Sequence, residues 1–123
     1  MISTGSLGLP VKYEGRVQLC YEAAEKLIPG ADIFLYGNYA ENKGLADSSV
    51  KLLILVGDSC SKREIKTLGW EVEDLISRIS DEAFPFEITV LTLSLYKLCC
   101  RQSKKLSEAA KNKKNLRLIS FEE

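Results

Sequence analysis

A chain of 123 residues is long enough for one hydrophobic core and too short for two. Apolar residues make up 46% and charged residues 28%, the make-up of an ordinary globular domain in water. Lysine plus arginine equals aspartate plus glutamate at 17 each, so no overall field draws the chain to nucleic acid or to a membrane surface.

Histidine is absent, which removes the usual general base and every Ser-His or Cys-His nucleophile. The four cysteines, Cys20, Cys60, Cys99 and Cys100, have no CxxC spacing, so a zinc site is not expected. Chemistry would have to come from carboxylates and metal ions, or not at all. Adjacent Cys99 and Cys100 project in different directions from a helix, which fits reduced thiols and a cytoplasmic setting. The start MISTGSLGLPVKYEG lacks the basic beginning and long apolar run of a signal peptide. No segment approaches the roughly 18 apolar residues that span a bilayer.

Residues 1–15 read as an extended arm rich in Gly and Ser, and residues 16–123 as a single domain. From Arg16 to Ile28 the apolar positions Val17, Cys20, Tyr21, Ala24, Leu27 and Ile28 recur at helical spacing, until Pro29-Gly30 stops the helix. Two runs rich in Ile, Leu and Val, Ile33 to Tyr36 and Val50 to Val56, read as buried strands. The polar loop between them is longer than a tight hairpin needs, and such loops often hold function. After the turn Gly57-Asp58-Ser59, a helix follows from about Ser61, with Ile65, Leu68, Val72, Leu75, Ile76, Ile79 and Ala83 at helical spacing. Gly69 is expected to kink it or to delay its start to Trp70, itself read as a core or interface anchor. Pro85 opens a third strand, Phe86 to Leu91, with Glu87 and Thr89 on one face. A last helix spans Leu95 to Lys111, and alternation from Leu116 suggests a short edge strand. Lysines and arginines from Lys97 to Arg117 form a basic cluster without interleaved aromatics, which reads as a solvated face rather than a nucleic-acid surface.

The stretch Leu35-Tyr36-Gly37-Asn38-Tyr39-Ala40-Glu41, followed by Asp47-Ser48-Ser49-Val50-Lys51-Leu52-Leu53, resembles the core of the minimal nucleotidyltransferases of the polymerase-beta-like superfamily. That family's signature is a strand ending in Gly-Ser, a loop with a small residue and usually an arginine, and Asp-Ser-Asp-hydrophobic-Asp opening a second strand. Gly37, Tyr39, Ala40, Asp47, Ser48 and the apolar run fit this frame. The resemblance implies an α+β fold, a small mixed sheet with helices packed on one face. It also implies that Gly37 and Asn38 stand where the family contacts nucleotide phosphate.

At the two metal-binding aspartates of the second strand this chain has Ser49 and Lys51, and Glu41 replaces the loop arginine. The third acidic position of the family corresponds to Glu87, which is still acidic. Metal-assisted phosphoryl transfer neutralises developing negative charge, and Mg²⁺ demands carboxylate or water ligands. A unit-charge pair at about 4 Å interacts by roughly 4 kcal/mol at an effective dielectric near 20, so a facing lysine opposes a divalent ion. Ser49 and Lys51 share one strand face with Leu53 and Leu55, and a Lys51–Glu87 contact is expected in place of the metals. The resemblance thus implies a nucleotidyltransferase fold without the transferase, a binding or regulatory module in an antitoxin-like pair with a helical HEPN-type protein, or a homo-oligomer. The alternative is an active enzyme moving a nucleotidyl group from ATP to protein or RNA, with Mg²⁺ held by Asp47 and Glu87. Apart from that possibility, Asp47 reads as a turn or capping residue.

Overall fold

The computed structural model describes residues 8–104, residue 107 and residues 111–116. Helix α1 (Val11–Leu27) leads into strand β1 (Asp32–Tyr36), and a one-turn helix α2 (Asn38–Glu41) follows. A 3-10 turn (Leu45–Asp47) then delivers strand β2 (Val50–Val56). Helix α3 (Lys62–Ile79), strand β3 (Phe86–Thr92), helix α4 (Leu93–Gln102) and strand β4 (Lys114–Asn115) complete the order. The result is an α+β domain whose four strands lie in the order β3-β2-β1-β4. Strands β1 and β2 are antiparallel, and β2 and β3 are parallel, joined by α3 as crossover.

Helix α1 begins five residues before the expected Arg16 start. Pro10 supplies the reason: its carbonyl accepts from the amides of Tyr13 and Glu14 at 3.0 Å, which closes the first turn. Residues 11–15 of the expected arm are therefore helical, and residues 1–7 lie outside the described part. Along α1 the buried positions include Val17, Cys20, Ala23 and Ala24, small enough to let the helix approach the sheet.

Strand β2 is buried almost throughout because it is central, flanked by a strand on each side and covered on both faces. Val50, Leu52 and Ile54, fully buried, turn to the face that α1 and α3 cover. Leu53 and Leu55 are buried on the opposite face, where Lys113 bridges the rings of Phe34 and Tyr96, the latter from α4. The helices are thus not confined to one side, as the resemblance implied; α4 returns against the second face.

Ser61 starts α3 with a capping box, its hydroxyl accepting from the Glu64 amide at 3.1 Å while its own amide donates to Glu64 Oε1 at 3.2 Å. Gly69 neither kinks nor delays this helix. It is buried against β3, and a Cβ there would meet Val90 Cγ2 at 3.6 Å and the Ile88 carbonyl oxygen at 3.9 Å, so the glycine lets helix and strand close up. Trp70 next to it is 70% exposed and belongs to no core. Helix α4 stops at Gln102, and Ser103 breaks the expected Leu95–Lys111 helix; Lys104, Ser107 and Lys111 are again helical. The C-terminal edge strand is short, Lys114–Asn115, paired with Leu35 and Phe34; the alternation expected beyond Leu116 lies outside the described residues.

Candidate functional site

The candidate cleft lies where β1 ends and β2 and β3 begin, on the face away from α1 and α3. Gly37 turns the chain out of β1 with φ 76 and ψ −156, a conformation that belongs almost solely to glycine. An added Cβ would also meet Lys51 Cδ at 3.1 Å, so the lysine stem lies along the glycine backbone. Asn38 opens α2, exposed, and its Nδ2 donates to Ser48 Oγ at 2.7 Å. Ser48 Oγ in turn donates to the Gly44 carbonyl at 2.5 Å, and the Lys43 amide donates to the Asn38 carbonyl at 3.0 Å. Gly44 and Asn42, both at φ 54, take the left-handed conformation that such a stitched loop needs. The Asn38 side chain, at the expected phosphate-contacting position, is thus engaged in holding the loop.

Ser49 is half-buried directly ahead of β2, and the next amide, that of Val50, is bonded to the Pro85 carbonyl at 3.0 Å. That bond sets the register in which Lys51 stands opposite Glu87 on one side and Tyr36 on the other. Lys51 Nζ and Glu87 Oε2 are 3.9 Å apart, with side chains 40% and 60% exposed, so the expected contact is present as a solvent-screened ion pair. Tyr36 adds a phenol hydrogen-bonded to Thr89. Burial pushes its pKa above the ordinary value, and nearby Glu87 pushes in the same direction, so it stays a neutral hydrogen-bonding group.

Asp47 ends the 3-10 turn, exposed, and no group of three or more His, Cys, Asp or Glu able to hold a metal includes it or Glu87 among the described residues. The groups at the cleft are the Ser49 and Tyr36 hydroxyls, the Lys51 ammonium and the Glu87 carboxylate. They do not fit a pair of Mg²⁺ ions, because a single carboxylate is already facing a fixed cation. Glu41 lies within 3.7 Å of Lys43 and accepts from Asn112 at 3.5 Å, tying the loop toward the β4 end of the chain.

Grooves of about 890, 500 and 320 Å³ lie elsewhere on the described surface, and none is lined by Gly37, Asn38, Ser49, Lys51 or Glu87. Sequence reasoning missed a clamp behind the cleft. Arg16 Nε pairs with Glu82 at 3.0 Å and Nη1 donates to Tyr39 OH at 3.2 Å, while the guanidinium lies over the rings of Tyr13 and Phe84. It joins α1, α2 and the segment before β3. The only sequence signal was Tyr13 three residues ahead of Arg16 on what proves to be one helix.

Compared with family models, with curated proteins and with solved structures, the chain gives no match in any of the three.

Proposed function

We propose that the chain is a nucleotidyltransferase-like domain that binds a protein partner and does not transfer nucleotidyl groups. The observation that carries this reading is the Lys51–Glu87 ion pair at 3.9 Å, an ammonium standing where the resemblance puts a metal-binding carboxylate. The helix ahead of the first strand, the small mixed sheet and the glycine turn at Gly37 support the fold half of it. The partner is a helical protein of the HEPN type or a second copy of the chain.

Incubation with labelled ATP and Mg²⁺ tests the inactive half. The expected outcome is no label on protein or RNA. Label that disappears with Glu87→Ala overturns it in favour of an active transferase using Asp47 and Glu87. A stabilisation by ATP that needs no metal, read as a thermal shift, would instead make the domain a nucleotide binder without turnover.

A further inference from the structure

Among the described residues, strand β3 is the outermost strand on its side of the sheet. The parallel ladder turns the amides and carbonyls of Glu87, Thr89 and Leu91 toward β2, as the Val50–Pro85 bond requires, so those of Phe86, Ile88, Val90 and Thr92 point off the sheet. Natural edge strands are blunted by lysine, proline, a bulge or short length. Phe86–Thr92, seven residues long, has no lysine, proline or bulge within it, and its one charged residue, Glu87, lies near one end and pairs with Lys51 of β2. Along it runs the groove of about 890 Å³, walled by Ile88 and Val90 below, α3 above and Leu95 of α4 at the far side. Trp70, 70% exposed, stands on its rim.

We infer that this edge pairs with the β3 edge of a second copy, antiparallel about a two-fold axis at Thr89, extending one sheet through both copies. Charge arrangement selects the second copy as occupant. As a crossover between parallel strands, α3 runs antiparallel to β3. Its groove-lining stripe is basic at the Thr92 end, with Lys62, Arg63 and Lys66, and acidic at the Phe86 end, with Glu73. Gly69 sits over β3 between Ile88 and Val90, which places Trp70 level with Thr89. Lys66 and Glu73 are four and three residues from Trp70, roughly 6 and 4.5 Å along the helix. A two-fold axis beside Trp70 therefore sets Lys66 of each copy against Glu73 of the other, and the two Trp70 rings together at the centre, where interfaces concentrate their binding energy. The strand register is equally self-compatible: Ile88 faces Val90, Thr89 faces Thr89 and Glu87 faces Leu91, with no like charges opposed.

This takes up the second-copy branch of the proposed function and rests on the binding half of that reading, not on the inactivity of the cleft. Label transfer from ATP would leave the dimer standing, and a monomer would leave the inactive cleft standing. The test is sedimentation of the whole chain over a concentration series, with emission of its single tryptophan recorded on the same samples. Expected are a concentration-dependent dimer and a blue shift with loss of iodide quenching as it forms. Lys66→Glu, at an exposed position, and Glu73→Lys, at a half-buried one, each checked by circular dichroism for an intact monomer fold, should weaken the dimer by ~10-fold, since two symmetry-related pairs are lost. The double variant should recover most of that. A monomer at every concentration overturns the inference, as does a dimer whose Trp70 stays open to iodide or whose affinity ignores both single reversals. A monomer whose Trp70 is shielded only when another protein is added overturns it as well.

Discussion

Lys51 and Glu87 stand opposite each other across the parallel β2–β3 pair, their charged atoms 3.9 Å apart and both open to solvent. Such a pair contributes between nothing and about 1 kcal/mol to stability, so its meaning is chemical. It occupies the ground that a cation would need. The double variant Ser49→Asp with Lys51→Asp should therefore add two acidic groups beside Glu87, three in all, and give a measurable affinity for Mn²⁺ or Mg²⁺ by titration calorimetry, where the parent shows none. Failure of the double variant to gain any cation affinity while remaining folded would count against this face having the geometry of a metal cleft.

Gly37 is expected to resist substitution. At φ 76 and ψ −156, with a Cβ position 3.1 Å from Lys51 Cδ, alanine is strained in its backbone even after the lysine stem moves aside. Gly37→Ala should cost about 1–3 kcal/mol in urea unfolding. Combining it with Lys51→Ala should recover only the small steric part. Full recovery would mean that contact, and not backbone conformation, demands glycine here.

The Arg16 clamp makes an asymmetric prediction. Tyr39 is fully buried and its hydroxyl receives the Arg16 guanidinium, so Arg16→Ala strands a buried polar group and removes the stack on Tyr13 and Phe84. A loss of about 2–3 kcal/mol is expected, against about 1 kcal/mol for Tyr39→Phe, which removes the hydroxyl itself. A double-mutant cycle by chemical denaturation measures the coupling. Equal losses for both single variants would remove the asymmetry.

Asp58 gives a pH signature. Its carboxylate accepts from the Ser94 amide at 3.0 Å and from Ser94 Oγ at 2.7 Å, bonds that hold its pKa below the usual value, with Lys97 adding to them. Because the folded value is depressed, the stabilisation is present above the unfolded pKa and is lost as pH falls through the folded one. Thermal unfolding should thus show a component declining below about pH 4 that Asp58→Asn lacks. An acid limb identical in the variant would sink the assignment.

Thiol titration checks the core. Cys20 is fully buried, and burial pushes its pKa to about 12, whereas Cys60, Cys99 and Cys100 are partly accessible and all four are free. Three thiols should react with a disulfide reagent in the native protein and the fourth only on unfolding. Rapid native reaction of Cys20 would contradict the packing of α1.

Periodicity made the strands legible. β2 runs from Val50 to Val56 as its apolar run suggested, and the Lys51–Glu87 pairing was foreseen from alternation together with the positions that the family resemblance assigns to the two residues. Where tertiary contacts decide, the sequence was mute. Gly15 and the polar residues before it look like loop until Pro10 caps them into α1, and Gly69 looks like a break until β3 lies beneath it. Asn38 resembled a phosphate contact, and only folding brings Ser48 and Gly44 within its reach. Arg16 and Glu82 are too distant in the chain for any local pattern to join them. Lys113 looked like one charge among many and sits instead over two aromatic rings.

Strand β4 has a consequence for the order of assembly. Its ladder partners are Phe34 and Leu35, across most of the chain, whereas every element from α1 to β3 is made before it. During synthesis the earlier elements can close before Lys114 has left the ribosome, so the two-residue ribbon is a latch fastened last and opened first. In hydrogen exchange the amides of Lys114 and Asn115 should be labelled well before those of Leu52 and Ile54.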